Sequence, residues 1–378
     1  MHRYILIAAL SLFVINFTAA QAPKTAVQYY NEGSAFKDQK KYAEALQSFK
    51  KAIAANANYK EALYNAGWCS IELEKYAEAL NFLQKAKNLW PNEPKVYLEI
   101  GYASEKLSKK TEAKDNYNKC IALQSDYALA YKYLANLYYD EANYKKALEN
   151  FEFYIRYQPE ITSDEVYYRK GFSENELGKY NDAIASLTKA SELYAGDAGT
   201  YNELGYAYKE LDNAEEALSN YKKAININPK SVTGNNGVAD VYRDLKKEPA
   251  EALTYYLKTI EIDPKNKKAN YWAGWCYNDL ERYNDAVPYL KKAIEIDDKY
   301  VSAITELGYC DYALQNYDDA LALFNKAIAL DKTELNLYYA GLCYVGKNQK
   351  ADALKMVTDL KAMNSDYADK LKKKIDGL

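Results

Sequence analysis

Between Ala198 and Ser231 the apolar residues fall into two stripes at helical spacing. Tyr201, Leu204, Tyr208 and Leu211 lie three or four residues apart, the interval that gathers side chains on one helical face. Ala217, Leu218, Tyr221, Ala224 and Ile225 form the second stripe. Asp212 and Asn213 between them are turn formers that compete poorly for helix interiors. Pro229 ends the second segment, because it has no N–H to donate. The pattern predicts two antiparallel helices. Such a pair leaves apolar surface that only another pair can cover, so it must stack on copies of itself.

The copies fill the chain. The eighth place of the motif holds Gly33, Gly67, Gly101, Ala135, Gly171, Gly205, Ala239, Gly274, Gly308 and Gly341, at steps of 33 to 36 residues. The twentieth place is alanine throughout: Ala45, Ala79, Ala113, Ala147, Ala183, Ala217, Ala252, Ala286, Ala320 and Ala353. Small residues at the eighth, twentieth and twenty-seventh places with Pro at the thirty-second, as in Gly205, Ala217, Ala224 and Pro229, resemble the tetratricopeptide repeat. The resemblance implies an all-α fold, an α-α superhelix: a tetratricopeptide solenoid of about ten helix-turn-helix repeats. A solenoid core grows as a line, so 378 residues need not divide into separate globular cores.

Residues 26–365 hold the ten repeats. Before them, residues 1–20 start with His2 and Arg3, run through apolar Ile5 to Phe17 and close on Thr18, Ala19 and Ala20. This reads as a secretory signal peptide cleaved before Gln21. The apolar run includes Asn16 and falls short of the roughly 20 residues that span a bilayer, so no transmembrane segment is expected in the mature chain. The protein is therefore expected to be exported, whether periplasmic, envelope-associated or secreted. Residues 21–25 form a linker. After the repeats, Tyr367, Leu371 and Ile375 recur every four residues beside Lys370 and Lys372 to Lys374, which predicts a capping helix over 366–378. Two irregularities stand out: an extra pair of residues between Pro159 and Asp164, and a seventh repeat, Val232 to Asn266, in which Gly234 and Gly237 interrupt the first helix and one residue is inserted before Ala252.

Charge and chemistry narrow the function. Lys and Arg total 50 against 53 Asp and Glu, a net charge of −3 with signs mixed throughout, which offers no basic surface to nucleic acid. His2 is the only histidine and lies in the segment expected to be removed, so the mature chain has no imidazole base or ligand. Cys69, Cys276, Cys310 and Cys343 share the tenth place, while Cys120 stands elsewhere in its repeat; all read as small buried hydrophobes. Equivalent places in adjacent repeats lie farther apart than the roughly 7 Å limit for a disulfide, so free thiols are expected. The stretch Gly341 to Asn348 approaches a phosphate-loop pattern. It lacks the metal-binding hydroxyl and sits inside a helix instead of between a strand and a helix. No catalytic residue, metal site or cofactor is expected, and the chain is not expected to be an enzyme.

The family resemblance implies binding along a concave face lined by first helices, with the second, fifth, ninth, twelfth and thirteenth places facing ligand. The ninth place carries Trp68, Tyr102, Asn136, Phe172, Tyr206, Trp275 and Tyr309; the fifth adds Tyr30, Tyr64, Lys132, Tyr168, Tyr271 and Tyr338. Tyr and Trp supply contact area with few rotatable bonds, a composition enriched at protein interfaces. The ninth place should lie off the core stripe, with Tyr201 and Tyr208 inside it. Lys132 with Asn136 resembles the start of a clamp for a C-terminal carboxylate. Arg169, Gly199 and Glu203 then depart from that clamp, which disfavours cytosolic chaperone tails. The expectation is a non-catalytic protein-interaction scaffold of the envelope or extracellular space with a peptide or protein partner; the alternative is a carbohydrate-binding repeat protein.

Overall fold

The computed structural model describes residues 24–377. The expected signal peptide, its cleavage site and most of the linker lie outside them. Among the described residues there are 21 α-helices and no strand. They group into two compact units, one ending at Leu137 and the other beginning at Tyr138. The first unit contains α1 (Ala26–Asp38), α2 (Tyr42–Ala55), α3 (Lys60–Glu72), α4 (Tyr76–Leu89), α5 (Pro94–Lys106), α6 (Lys110–Leu123) and most of α7 (Ala128–Asp140). The second continues with α8 (Tyr144–Tyr157), α9 (Asp164–Glu176), α10 (Tyr180–Leu193), α11 (Ala198–Glu210), α12 (Ala214–Ile227), α13 (Val232–Val241) and α14 (Pro249–Ile262). It ends with α15 (Lys267–Asp279), α16 (Tyr283–Ile296), α17 (Val301–Ala313), α18 (Tyr317–Leu330), α19 (Glu334–Gly346), α20 (Lys350–Ala362) and α21 (Tyr367–Asp376). Within each unit the repeats are antiparallel helix pairs whose first helices start at the residues the spacing predicts, and consecutive pairs stack as in a tetratricopeptide solenoid.

The repeat geometry comes from a few places. At the eighth, a glycine lets the two helices of a pair close on each other: a Cβ built on Gly67 would stand 2.5 Å from Leu83 Cγ, and one on Gly205 would stand 2.8 Å from the Tyr221 ring. The ring or branched chain that fills this space belongs to the twenty-fourth place, and Phe49, Leu83, Tyr117, Phe151, Leu187, Tyr221, Tyr256, Leu290 and Phe324 are all buried. The alanines of the twentieth place are fully buried in every repeat. Between the helices the chain turns through one left-handed residue, at Lys40 (φ 58°), Glu74 (φ 56°) and their equivalents, with glycine there only at Gly178 (φ 70°). The following N–H then donates back to the helix, as Lys41 does to the Phe36 carbonyl at 2.9 Å and Asn213 to that of Tyr208 at 2.9 Å.

The irregular segments keep the pattern by local adjustments. Pro159–Ile161 forms a 3-10 turn that takes up the extra pair of residues before α9. The seventh repeat corrects the expectation of a broken first helix. Helix α13 runs through both Gly234 and Gly237. Gly237 is needed there because a Cβ would enter the Tyr221 ring. The inserted residue becomes a π-turn, Tyr242–Lys246, followed by left-handed Lys247 (φ 59°).

Helix α21 closes the array. Leu371, Ile375 and Ala368 are buried in one cluster with Leu337, Val357 and Leu360, while Lys370, Lys373 and Lys374 stay exposed. Gly341 lies inside α19, so the phosphate-loop look-alike has no loop. All five cysteines are buried and free.

Candidate functional site

The aromatic residues of the first helices are not a free-standing row. Four ninth-place rings lean on the tyrosine that opens the second helix of the preceding repeat. In the first unit Trp68 meets Tyr42 edge-on, with ring centroids 5.5 Å apart. In the second, Phe172 meets Tyr144 at 5.7 Å, Tyr206 meets Tyr180 at 6.1 Å and Tyr309 meets Tyr283 at 5.8 Å. Trp68, Tyr102, Phe172, Tyr206, Trp275 and Tyr309 are all half-buried, and Trp68, Tyr102, Tyr206 and Trp275 pack on the edges of core clusters. Tyr201 and Tyr208 are also half-buried, so the expected contrast between a surface ninth place and a core pair does not hold. Tyr221, at 3% exposure, is a core tyrosine.

The fifth-place residues divide. Tyr30, Tyr64, Tyr168 and Tyr338 are half-buried, and Tyr338 packs on Tyr367 with centroids 4.7 Å apart. Tyr271 is buried, between Trp272 at 4.7 Å and Tyr300 at 5.0 Å, so it supports the face from beneath. Lys132 and Asn136 sit half-buried on α7. Arg169, one repeat on, is held by Glu165 at 2.9 Å and lies 5.0 Å over the Tyr139 ring. In the seventh repeat the aromatic gives way to Asp240, which accepts from Tyr256 Oη at 2.6 Å, Arg243 Nη1 at 3.1 Å and Lys268 Nζ at 2.6 Å. The Arg243 guanidinium stacks 3.5 Å from the centre of Trp272.

Sequence reasoning missed the carboxylates among these rings. At the sixth place Glu99 in the first unit, and Glu203 and Glu306 in the second, are each set against an acidic thirteenth-place residue of the preceding repeat: Glu72, Glu176 and Asp279 respectively. The tyrosine of the preceding fifth place, Tyr64, Tyr168 or Tyr271, senses each glutamate in turn. Asn175 Nδ2 donates to Glu203 Oε2 at 3.0 Å, and Asn278 Nδ2 donates to Glu306 Oε2 at 2.9 Å. Burial, with the second carboxylate adding, raises all three glutamates above the usual carboxylate range, Glu99 to about 7. The signal was present in the sequence as glutamate at one place in three repeats, each following an acid 27 residues earlier.

Two cavities open on this face in the second unit. One, of about 290 Å³, is lined by Trp275, Asn278, Asp279, Glu281, Tyr283, Glu306, Tyr309 and Tyr339. The other, of about 390 Å³, is lined by Glu176, Asn202, Glu203, Tyr206, Lys209, Asn236, Asp240 and Lys268. Among the described residues no His, Cys, Asp and Glu group has metal-site geometry, and no helix is long and apolar enough to cross a membrane.

A stack of helix pairs with an aromatic, acid-studded first-helix face defines an α-solenoid of the protein-interaction type. Models of the tetratricopeptide repeat match residues 37–98 and 278–342, residues 94–127, 164–197 and 198–231, and residues 255–287, together more than half of the chain. The chain belongs to the tetratricopeptide-repeat family. No curated protein matches it. Among solved structures it is similar to the C-terminal part of a repeat protein from Cytophaga hutchinsonii, 21% identical over 64% of this chain and 97% of that one, with a TM-score of 0.51. YrrB, described as a repeat protein with an unusual peptide-binding site, is 27% identical over 50% of this chain and 97% of its own, with a TM-score of 0.47. The type IV pilus biogenesis factor PilW is 19% identical over 55% of this chain and 97% of its own, also at 0.47.

Proposed function

We propose that this protein is a non-catalytic scaffold that holds a polypeptide partner against its first-helix face, in the cell envelope or outside the cell. The observation that carries the reading is the recurrent half-buried aromatic ring at the ninth place, braced by a tyrosine of the neighbouring helix and bordering a cavity at Tyr206 and at Tyr309. Braced rings lose little freedom on binding, so their contact area converts to affinity at low entropic cost. Export rests on the pattern of residues 1–20.

The test is a photo-crosslinking amino acid placed at Tyr206 or Tyr309 in intact cells, with mass spectrometry of the adducts. Polypeptide adducts at both positions, absent from a control at exposed Lys373, are expected. Adducts to glycan alone would transfer the face to carbohydrate binding. N-terminal sequencing of the recovered protein should begin at Gln21; an intact Met1 on the exported form would make the N-terminal segment an anchor.

A further inference from the structure

The cavity at Trp275 combines three features that together select a ligand. Asp279, Glu281 and Glu306 supply three carboxylates, and no basic side chain lines it. Trp275, Tyr283, Tyr309 and Tyr339 supply ring surface, whose electron-rich faces attract cations. Among the described residues Glu306 forms no ion pair. Its side-chain partner is the neutral amide of Asn278, whose Oδ1 is in turn occupied by the Cys310 thiol at 2.8 Å. A partly buried carboxylate beside a second one is costly unless a cation joins them.

The same constellation recurs. In the second unit Glu203 stands with Glu176, Asn175 and Tyr206, and in the first unit Glu99 stands with Glu72 and Tyr64, in both cases with no ion pair to the central glutamate among the described residues. A ring, a glutamate and a facing carboxylate thus come together at the same places in three repeats. The Glu203 cavity differs in its rim. Lys209 and Lys268 reach it, paired with Glu210 at 2.6 Å and Asp240 at 2.6 Å.

We propose that the cavity bounded by Trp275, Asp279, Glu306 and Tyr309 receives a cationic side chain, Lys or Arg, of a polypeptide partner, and that the Glu203 and Glu99 constellations have the same preference. This rests on reading the first-helix face as the binding face. An acidic segment is repelled by the three carboxylates. A neutral sugar gains nothing from their charge. The Glu306 cavity, free of lysine at its rim, is the strongest of these sites.

The experiment titrates the full mature chain with a capped Ala-Arg-Ala-Lys-Ala-Arg peptide, its counterpart with Glu at the charged positions, and maltohexaose, followed by calorimetry. The basic peptide should bind and weaken with added salt, whereas the acidic peptide and the sugar should not bind. Glu306→Gln and Asp279→Asn should each weaken it roughly tenfold, as expected for truncating one member of a desolvated charge pair. Glu306→Gln should also leave the melting temperature unchanged or raised, since it removes a repulsion; a structural role alone would lower it. Equal binding of both peptides, binding of maltohexaose alone, or full affinity in Glu306→Gln overturns the proposal. The crosslinks at Tyr309 separate the two readings. Adducts to polypeptide segments without Lys or Arg sink the charge preference and leave the scaffold standing, whereas the absence of polypeptide adducts sinks the scaffold itself.

Discussion

Trp68 stands edge-on against Tyr42, ring centroids 5.5 Å apart and planes at 83°. One ring opens the second helix of a repeat and the other lies on the first helix of the next, so a residue suited to contact a partner also helps join two repeats. Binding and stacking are therefore coupled at the ninth place. Trp68→Ala should destabilise by about 1.5–3 kcal/mol, below the roughly 3–5 kcal/mol of a fully buried aromatic such as Tyr221→Ala. A double-mutant cycle of Tyr42→Ala with Trp68→Ala in urea unfolding should give a coupling of about 0.5–1.5 kcal/mol. Strict additivity would mean that the pair does not join the repeats.

Gly67 is one of the close approaches inside a repeat. A Cβ there would lie 2.5 Å from Leu83 Cγ and 3.4 Å from the Ala79 carbonyl oxygen, so the branched side chain or the helix has to move. Gly67→Ala should cost about 1–3 kcal/mol through overpacking. Adding Leu83→Ala vacates the clash, and the double variant should be less unstable than the sum of the two single ones, read by chemical denaturation. A Gly67→Ala protein as stable as the parent would show that the helices are farther apart.

The fold was legible because steric demands repeat. A small residue at the eighth place, glycine in eight repeats and alanine in two, and alanine at the twentieth place in all ten separate signal from composition. Details set by a single contact were harder to read. Gly237 looked like a helix breaker, yet it answers the Tyr221 ring of the preceding repeat, and the insertion after it became a π-turn that no propensity marks. The site was half legible. Ring positions follow from helical phase, whereas their burial depends on Tyr42, Tyr144, Tyr180 and Tyr283 in the adjacent repeat, and Glu99, Glu203 and Glu306 resemble solvated surface acids until the preceding repeat is set beside them.

The cysteines give a test of the register. Burial pushes the thiols up, Cys69 to about 11 and Cys120, Cys276, Cys310 and Cys343 to about 12. The thiolate is the reactive form, so none should react at neutral pH while the repeats stay closed. Ellman's reagent should release almost no colour from the native protein and the equivalent of five thiols in guanidinium. Fast native labelling of Cys276, Cys310 or Cys343 would place the tenth position outside the stack.

Glu99 makes stability depend on pH in a direction opposite to that of a salt-bridged carboxylate. Burial and the neighbouring Glu72 raise its carboxyl from 4.5 to about 7, against a lowering by the Tyr64 hydroxyl. Between these two values the folded chain holds a proton that the unfolded chain has lost, so ν_U − ν_N is negative and stability falls as pH rises. The contribution of this group is most favourable below about pH 4.5 and is lost by about pH 7, with a span of roughly 3 kcal/mol for a shift of that size. Glu99→Gln keeps the shape and an amide for hydrogen bonding but cannot ionise. Urea unfolding of parent and variant from pH 4.5 to pH 8 should therefore give curves that nearly meet at the acid end and separate in favour of the variant towards pH 8. Glu72→Gln should shrink the separation by removing the repulsion on Glu99. Parallel curves for parent and Glu99→Gln would mean that the carboxylate at the sixth place is solvated, and the face would then lack the desolvated charge on which recognition of a cation depends.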